Sequence, residues 1–113
     1  MTVFTERLSV APMMDWTDRH FRYFARRLTR RTLLYSEMIT AQAIVFGDAE
    51  KLLTYDDDEH PLILQLGGSD PELLGKACRV ARGFRYDGVN LNAGCPSERV
   101  SAGCFGAAMR RDP

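Results

Sequence analysis

"LILQLGGSDPELLGKACRVARGFRYDGVNLN", residues 62–92, decides the reading of the fold. Its two ends, "LILQLG" (62–67) and "GVNLN" (88–92), are short apolar stretches of strand character bounded by Gly or polar residues. Between them Asp70 offers an N-cap and Pro71 a first helical residue, and Leu73, Leu74, Ala77, Cys78 and Ala81 supply the apolar side of a helix. Strand, helix and strand in that order build a parallel sheet.

The alternation extends backwards through "TLLYSEM" (32–38) and "LSVA" (8–11), so the chain reads β-α-β-α-β-α-β and the expected class is α/β. The helix after the first strand is expected to start at Thr17 as N-cap. Phe21, Phe24 and Leu28 share one face, and Arg19, Arg22, Arg26 and Arg30 form a separate stripe. That stripe reads equally well as a solvated outer face or as a phosphate contact. The middle segment, "TAQAIVFGDAEKLLTYDDDEH", is expected to break at Gly47 and to end before the acidic run 56–59, which reads as a solvated loop.

A chain of 113 residues with 45% hydrophobic and 27% charged residues has the composition of one globular domain at most. No apolar run approaches the roughly 18 residues that cross a bilayer. The opening "MTVFTERLSV" lacks the basic and apolar pattern of a secretion signal, so a cytoplasmic location is expected. Cys78, Cys95 and Cys104 have no C-x-x-C spacing, and His20 and His60 stand apart, so neither a disulfide framework nor a metal site is expected. The zero net charge conceals +3 over residues 1–47, −7 over 48–72 and +4 over the remainder, so a nucleic-acid partner is not argued from net charge.

The closing "RRDP" sets Asp112 and Pro113 as the N-cap and first turn of a helix that the sequence given does not continue. Four strands also cannot close a barrel of eight. The expectation is that residues 1–113 are the amino-terminal half of a larger barrel domain, truncated after its fourth strand.

Chemistry concentrates where the strands end. Asn90 and Asn92, two apart on a strand, share a face, and buried amides must find partners in neighbouring strands or in a ligand. Gln65 ends its strand with a side chain that both donates and accepts. "APMMDW" leaves the first strand through Pro12 and Met13, whose soft side chain suits the flank of a flat ring. Cys95, between Gly94 and Pro96, is biased away from helical geometry, and an unperturbed thiol is mostly protonated at neutral pH, available as a proton donor. Glu37, late in the second strand, reads equally as a site residue and as half of a salt bridge.

"APM" after the first strand, "LQLGG" after the third, and "NLNAGCPS" followed by "GCFGA" together resemble the amino-terminal half of tRNA-dihydrouridine synthases, with "MDWTDRHFRYF", "LLYSEM" and "EHPLILQLGGSDP" most similar to the A-type enzymes of tRNA positions 20 and 20a. The resemblance implies a flavin-binding (β/α)8 TIM barrel and an FMN-dependent oxidoreductase. In the family NADPH reduces FMN, hydride reaches C6 of a tRNA uridine, and a cysteine protonates C5. Carried over residue by residue, it makes Cys95 the proton donor, Pro12, Met13, Met14 and Gln65 flavin contacts, and Asn92 a contact of the tRNA substrate. Cys78 and Cys104 inherit no role. The family's later phosphate-binding loops and carboxy-terminal tRNA-gripping domain have no counterpart in these residues, so the chain alone is expected to bind FMN weakly. Two other readings are a different FMN-dependent barrel acting on a small molecule, such as a dihydroorotate-type dehydrogenase, and a non-catalytic half-barrel. Self-association is expected of an unclosed sheet.

Overall fold

The computed structural model describes residues 7–93 of the chain. The expected strands form one four-stranded parallel sheet, β1 (Ser9–Val10), β2 (Leu33–Thr40), β3 (Leu62–Gly67) and β4 (Gly88–Leu91), in the order β1-β2-β3-β4. The connections hold α1 (Arg19–Leu28), then α2 (Ala41–Phe46), α3 (Ala49–Leu53) and a 3-10 turn at Asp57–Glu59, then α4 (Pro71–Arg82). Strand order that follows sequence order, without reversal, is the arrangement of a (β/α)8 barrel rather than of a doubly wound sheet.

The core agrees with this choice, because among the described residues the helices pack on one face of the sheet. Leu62, Leu64 and Leu66 alternate along β3 toward the same side. Leu62 packs with Leu34 and with Ala25 of α1, whereas Leu64 and Leu66 pack with Ala41 and Ile44 of α2 and Ala77 and Ala81 of α4. Ile63 and Gln65 project from the other face, yet both are buried among the strands. This two-sided burial is why β3 reads as a continuous apolar run broken only by one amide.

Local signals placed most element ends. Asp70 caps α4 by accepting from Glu72 N at 3.0 Å, with Pro71 in the first turn. Replacing Asp70 by Ala is expected to cost about 1 kcal/mol in a denaturation experiment. Gly47 closes α2 as anticipated, since a Cβ there would stand 2.5 Å from the Ala43 carbonyl oxygen.

Helix α1 departs from the sequence expectation. Its N-cap is Asp18, which accepts from Phe21 N at 2.8 Å, and Thr17 is instead fully buried beneath the turn that precedes it. Both expected faces are split: Arg22 and Arg26 are buried while Arg19 and Arg30 are exposed, and Phe21 packs against the core while Phe24 and Leu28 are 61% and 74% exposed. The physical reason lies in partners remote in sequence. Arg22 Nε pairs with Glu59 Oε1 at 2.5 Å, and Arg26 donates to the carbonyls of Thr29, Thr32, Glu59 and Pro61 at 2.8–3.2 Å. Burial holds the Arg26 guanidinium below its ordinary pKa, partly offset by Glu59 and Asp87.

The acidic run also departs from a solvated loop. Asp56 and Glu59 form a reciprocal capping box around the 3-10 turn, and the Glu59 carboxylate is buried against Arg22. Asp57 and Asp58 behave as expected of surface acids, both exposed, with Asp58 pairing with exposed Arg27. Cys78, expected on the apolar side of α4, is exposed. The buried side of α4 is centred on Ala77 and Ala81, with Leu73 and Leu74 only partly buried against it. Below the strands, His60 Nδ1 and Leu62 N both meet Asp87 Oδ2, at 2.6 and 2.7 Å, and burial pushes the Tyr86 phenol well up as its hydroxyl donates to Leu53 O. No helix among the described residues is long and apolar enough to cross a membrane.

Candidate cofactor and substrate platform

The sheet face turned away from the helices carries a row of polar side chains near the carboxyl ends of β2, β3 and β4. Register makes the row: Met38 pairs with Gln65, and Gln65 with Asn90, so the three share one level and one face. Gln65 Nε2 donates to Asn90 Oδ1 at 2.7 Å. Asn92, one step further along the same face, donates through Nδ2 toward Met38 Sδ at 3.4 Å and Gln65 Oε1 at 3.5 Å, and its backbone N–H extends the ladder to Leu66 O at 2.9 Å. The two asparagines therefore do share a face, and both reach Gln65.

Met38 occupies this row only because β2 contains an irregularity. Tyr35 pairs with Ile63 but Met38 with Gln65, so one extra residue is accommodated between them. The Ser36 hydroxyl fills the gap in the ladder by accepting from Gln65 N at 3.0 Å. A Cβ on Gly67, the next β3 residue on this face, would lie 2.7 Å from Met38 Sδ, so a larger residue there would displace the Met38 side chain.

Pro12, Met13 and Met14 leave β1 in a tight turn. Met13 O accepts from Trp16 N at 3.0 Å and Thr17 N at 2.9 Å, while the Thr17 hydroxyl both accepts from Met13 N at 2.9 Å and donates to Met13 O at 3.1 Å. The turn is fastened to β2, where Glu37 Oε2 accepts from Asp15 N at 2.8 Å and Glu37 N donates to Thr17 O at 3.1 Å. Among the described residues Glu37 is thus neither a salt-bridge partner of a basic side chain nor a member of the amide row. Met13 stays 42% exposed, and Pro12 and Met14 are partly exposed.

The sequence-predicted residues fall into two groups. Gln65 and Asn92 are brought together, joined by Asn90 and by Met38, which sequence reasoning missed because its place depends on the β2 irregularity. Pro12, Met13 and Met14 sit two strands away, about 10 Å across the sheet. Cys95, like Gly94, Pro96, Cys104 and the closing Asp112 and Pro113, lies outside the described residues. The donor set fits an extended flat heterocycle, with a soft thioether flank at one end and amides able to donate and accept at the other.

One-sided helical cover, sequential strand order and a polar site at the strands' carboxyl ends define a parallel βα protein of the barrel type. The family model "Dihydrouridine synthase (Dus)" matches residues 9–113. The chain is 60% identical over 106 residues to the tRNA-dihydrouridine(20/20a) synthase of Synechocystis sp., covering 94% of this chain and 32% of that protein. It is also 55% identical over 109 residues to the synthase of the same name from Pseudomonas aeruginosa, covering 96% of this chain and 33% of that protein, and 56% identical over 103 residues to that of Escherichia coli, covering 91% and 30%. The chain belongs to the dihydrouridine synthase family, and it spans about a third of the length of the curated relatives it matches.

Proposed function

We propose that this chain is the amino-terminal half of the catalytic barrel of an FMN-dependent, NADPH-using tRNA-dihydrouridine synthase that acts on D-loop uridines at positions 20 and 20a. One observation carries the reading. A chain matching dihydrouridine synthases over residues 9–113 gathers Met38, Gln65, Asn90 and Asn92 near the carboxyl ends of β2, β3 and β4, the end at which barrels of this type hold their ligands.

The residue roles are those that the resemblance to the family implies. Pro12, Met13 and Met14 flank the ring system, and Gln65, fixed by Asn90, addresses its polar edge. Asn92 contacts the tRNA substrate at the mouth, three residues before Cys95. When bound, FMN reduced by NADPH supplies hydride to C6 of the uridine. Cys95 delivers a proton to C5, a task that requires the thiol form and therefore an unperturbed rather than a strongly lowered pKa. The tRNA reaches this site as an extruded base, because the target atoms are inaccessible inside a stacked helix. The enzyme works in the cytoplasm. Val89 and Leu91, exposed on the helix side of β4, support self-association of the chain on its own.

The test is the flavin content and turnover of the purified full-length protein. It is expected to hold stoichiometric FMN and to oxidise NADPH in proportion to dihydrouridine formed in unmodified tRNA. A flavin-free protein, or one that reduces a small molecule such as orotate but not tRNA, contradicts the proposal.

A further inference from the structure

We propose that Glu37 is a positioning residue for the flavin platform: from the irregular step in β2, it holds the turn after β1 in the conformation that presents Met13 and Met14. The inference rests on the functional reading above for the identity of the ligand, but its geometry stands on the turn itself.

Asp15 is one of two non-glycine residues with positive φ among the described residues, at 66°, where a side chain with a Cβ is sterically disfavoured. A residue persists there when its surroundings over-determine it. Glu37 supplies that constraint from both of its ends. Its carboxylate accepts from Asp15 N at 2.8 Å, and its backbone N–H donates to Thr17 O at 3.1 Å. Thr17 O also accepts from the buried Arg22 Nη1 at 2.8 Å, and the Thr17 hydroxyl brackets Met13 on both its N–H and C=O. The turn is therefore gripped at Met13, Asp15 and Thr17, and the grip on Asp15 is a charge-assisted bond to a carboxylate.

The position of Glu37 in the strand gives the grip its significance. Ser36, its neighbour in the same irregularity, accepts from Gln65 N at 3.0 Å. Two adjacent residues of β2 thus anchor the two separate groups of predicted flavin contacts, the β1 turn through Glu37 and Gln65 through Ser36. A shift of this step would change the distance between them, which is the dimension a rigid multi-ring ligand must match.

The experiment uses the full-length protein and FMN itself, with Kd and the visible spectrum of the bound flavin as readouts, and amide hydrogen exchange over the β1 turn as a readout independent of flavin. Glu37→Ala is expected to weaken FMN binding about tenfold or more, to alter the flavin absorption bands, and to speed exchange of the Asp15 amide. Glu37→Gln, whose amide oxygen still accepts, is expected to stay within about threefold of the parent. Adding Asp15→Gly to Glu37→Ala is expected to recover most of the affinity, because glycine adopts positive φ without the carboxylate. Unchanged FMN binding and Asp15 exchange in Glu37→Ala overturn the inference, as does failure of Asp15→Gly to recover any affinity. A parent protein that binds no FMN refutes the functional reading instead, and Asp15 exchange then decides for or against the grip alone.

Discussion

In the full-length protein, if it is the proposed tRNA-dihydrouridine synthase, Cys95→Ala is expected to leave reduction of the flavin by NADPH within about twofold and to slow reduction of tRNA uridine by about 10²–10⁴-fold, the range that a positioned general acid contributes. The two half-reactions separate because only the second needs a proton at carbon. In the proposed reaction, hydride arriving at C6 leaves negative charge that must be quenched at C5, and Cys95 stands in the sequence four residues after β4 ends at Leu91. A thiol with a pKa of about 8.5 is mostly protonated at neutral pH and can serve directly. Rapid mixing of each half-reaction under single-turnover conditions separates them. Equal loss of both would mean that Cys95 supports the flavin rather than the proton.

Arg22→Ala is expected to lower stability by about 3–5 kcal/mol, because it strands the Glu59 carboxylate in a buried position. Arg27→Ala is expected to leave the denaturation midpoint almost unchanged, because solvent screens its exposed pair with Asp58. The two side chains make ion pairs of the same length, 2.5 Å, yet Arg22–Glu59 is 6% and 0% exposed and Arg27–Asp58 is 48% and 61% exposed. Burial, not distance, separates the outcomes. Arg22 also donates to Thr17 O, so its loss should loosen the β1 turn as well as the helix. Denaturant midpoints for both variants test the contrast, and equal shifts would show that the buried pair has an alternative partner or that solvent reaches it.

The same arginines explain what the sequence concealed. Strands β2 to β4 and the Asp70–Pro71 start of α4 were legible because their signals are local: an apolar run, a cap, a proline. The face of α1 was not. Periodicity treats arginine as polar and therefore outward, but Arg26 meets a cluster of carbonyls at 29, 32, 59 and 61, and Arg22 meets a carboxylate 37 residues away. Glu59 and Pro61 reach α1 only through the tertiary fold, so no window of α1 could reveal them. Glu59 was misread for the same reason, as the far half of that pair.

The site divides along a similar line. The two-residue spacing of Asn90 and Asn92 sufficed to put both on one face, and their link to Gln65 follows from parallel pairing of adjacent strands. Met38 and Glu37 needed the irregular step in β2, which has no signature in "LLYSEM" beyond a serine able to complete a broken ladder. What the resemblance added was identity of the ligands and the role of Cys95, which no spacing supplies.

The central claim, that this chain contributes the site of a tRNA uridine reductase, is tested most directly by mass spectrometry of D-loop fragments from tRNA of a strain lacking the gene. The account predicts that dihydrouridine at positions 20 and 20a disappears, returns with the intact gene, and does not return with the Cys95→Ala gene. Dihydrouridine that persists at both positions without the gene, or that the Cys95→Ala gene restores in full, would contradict it.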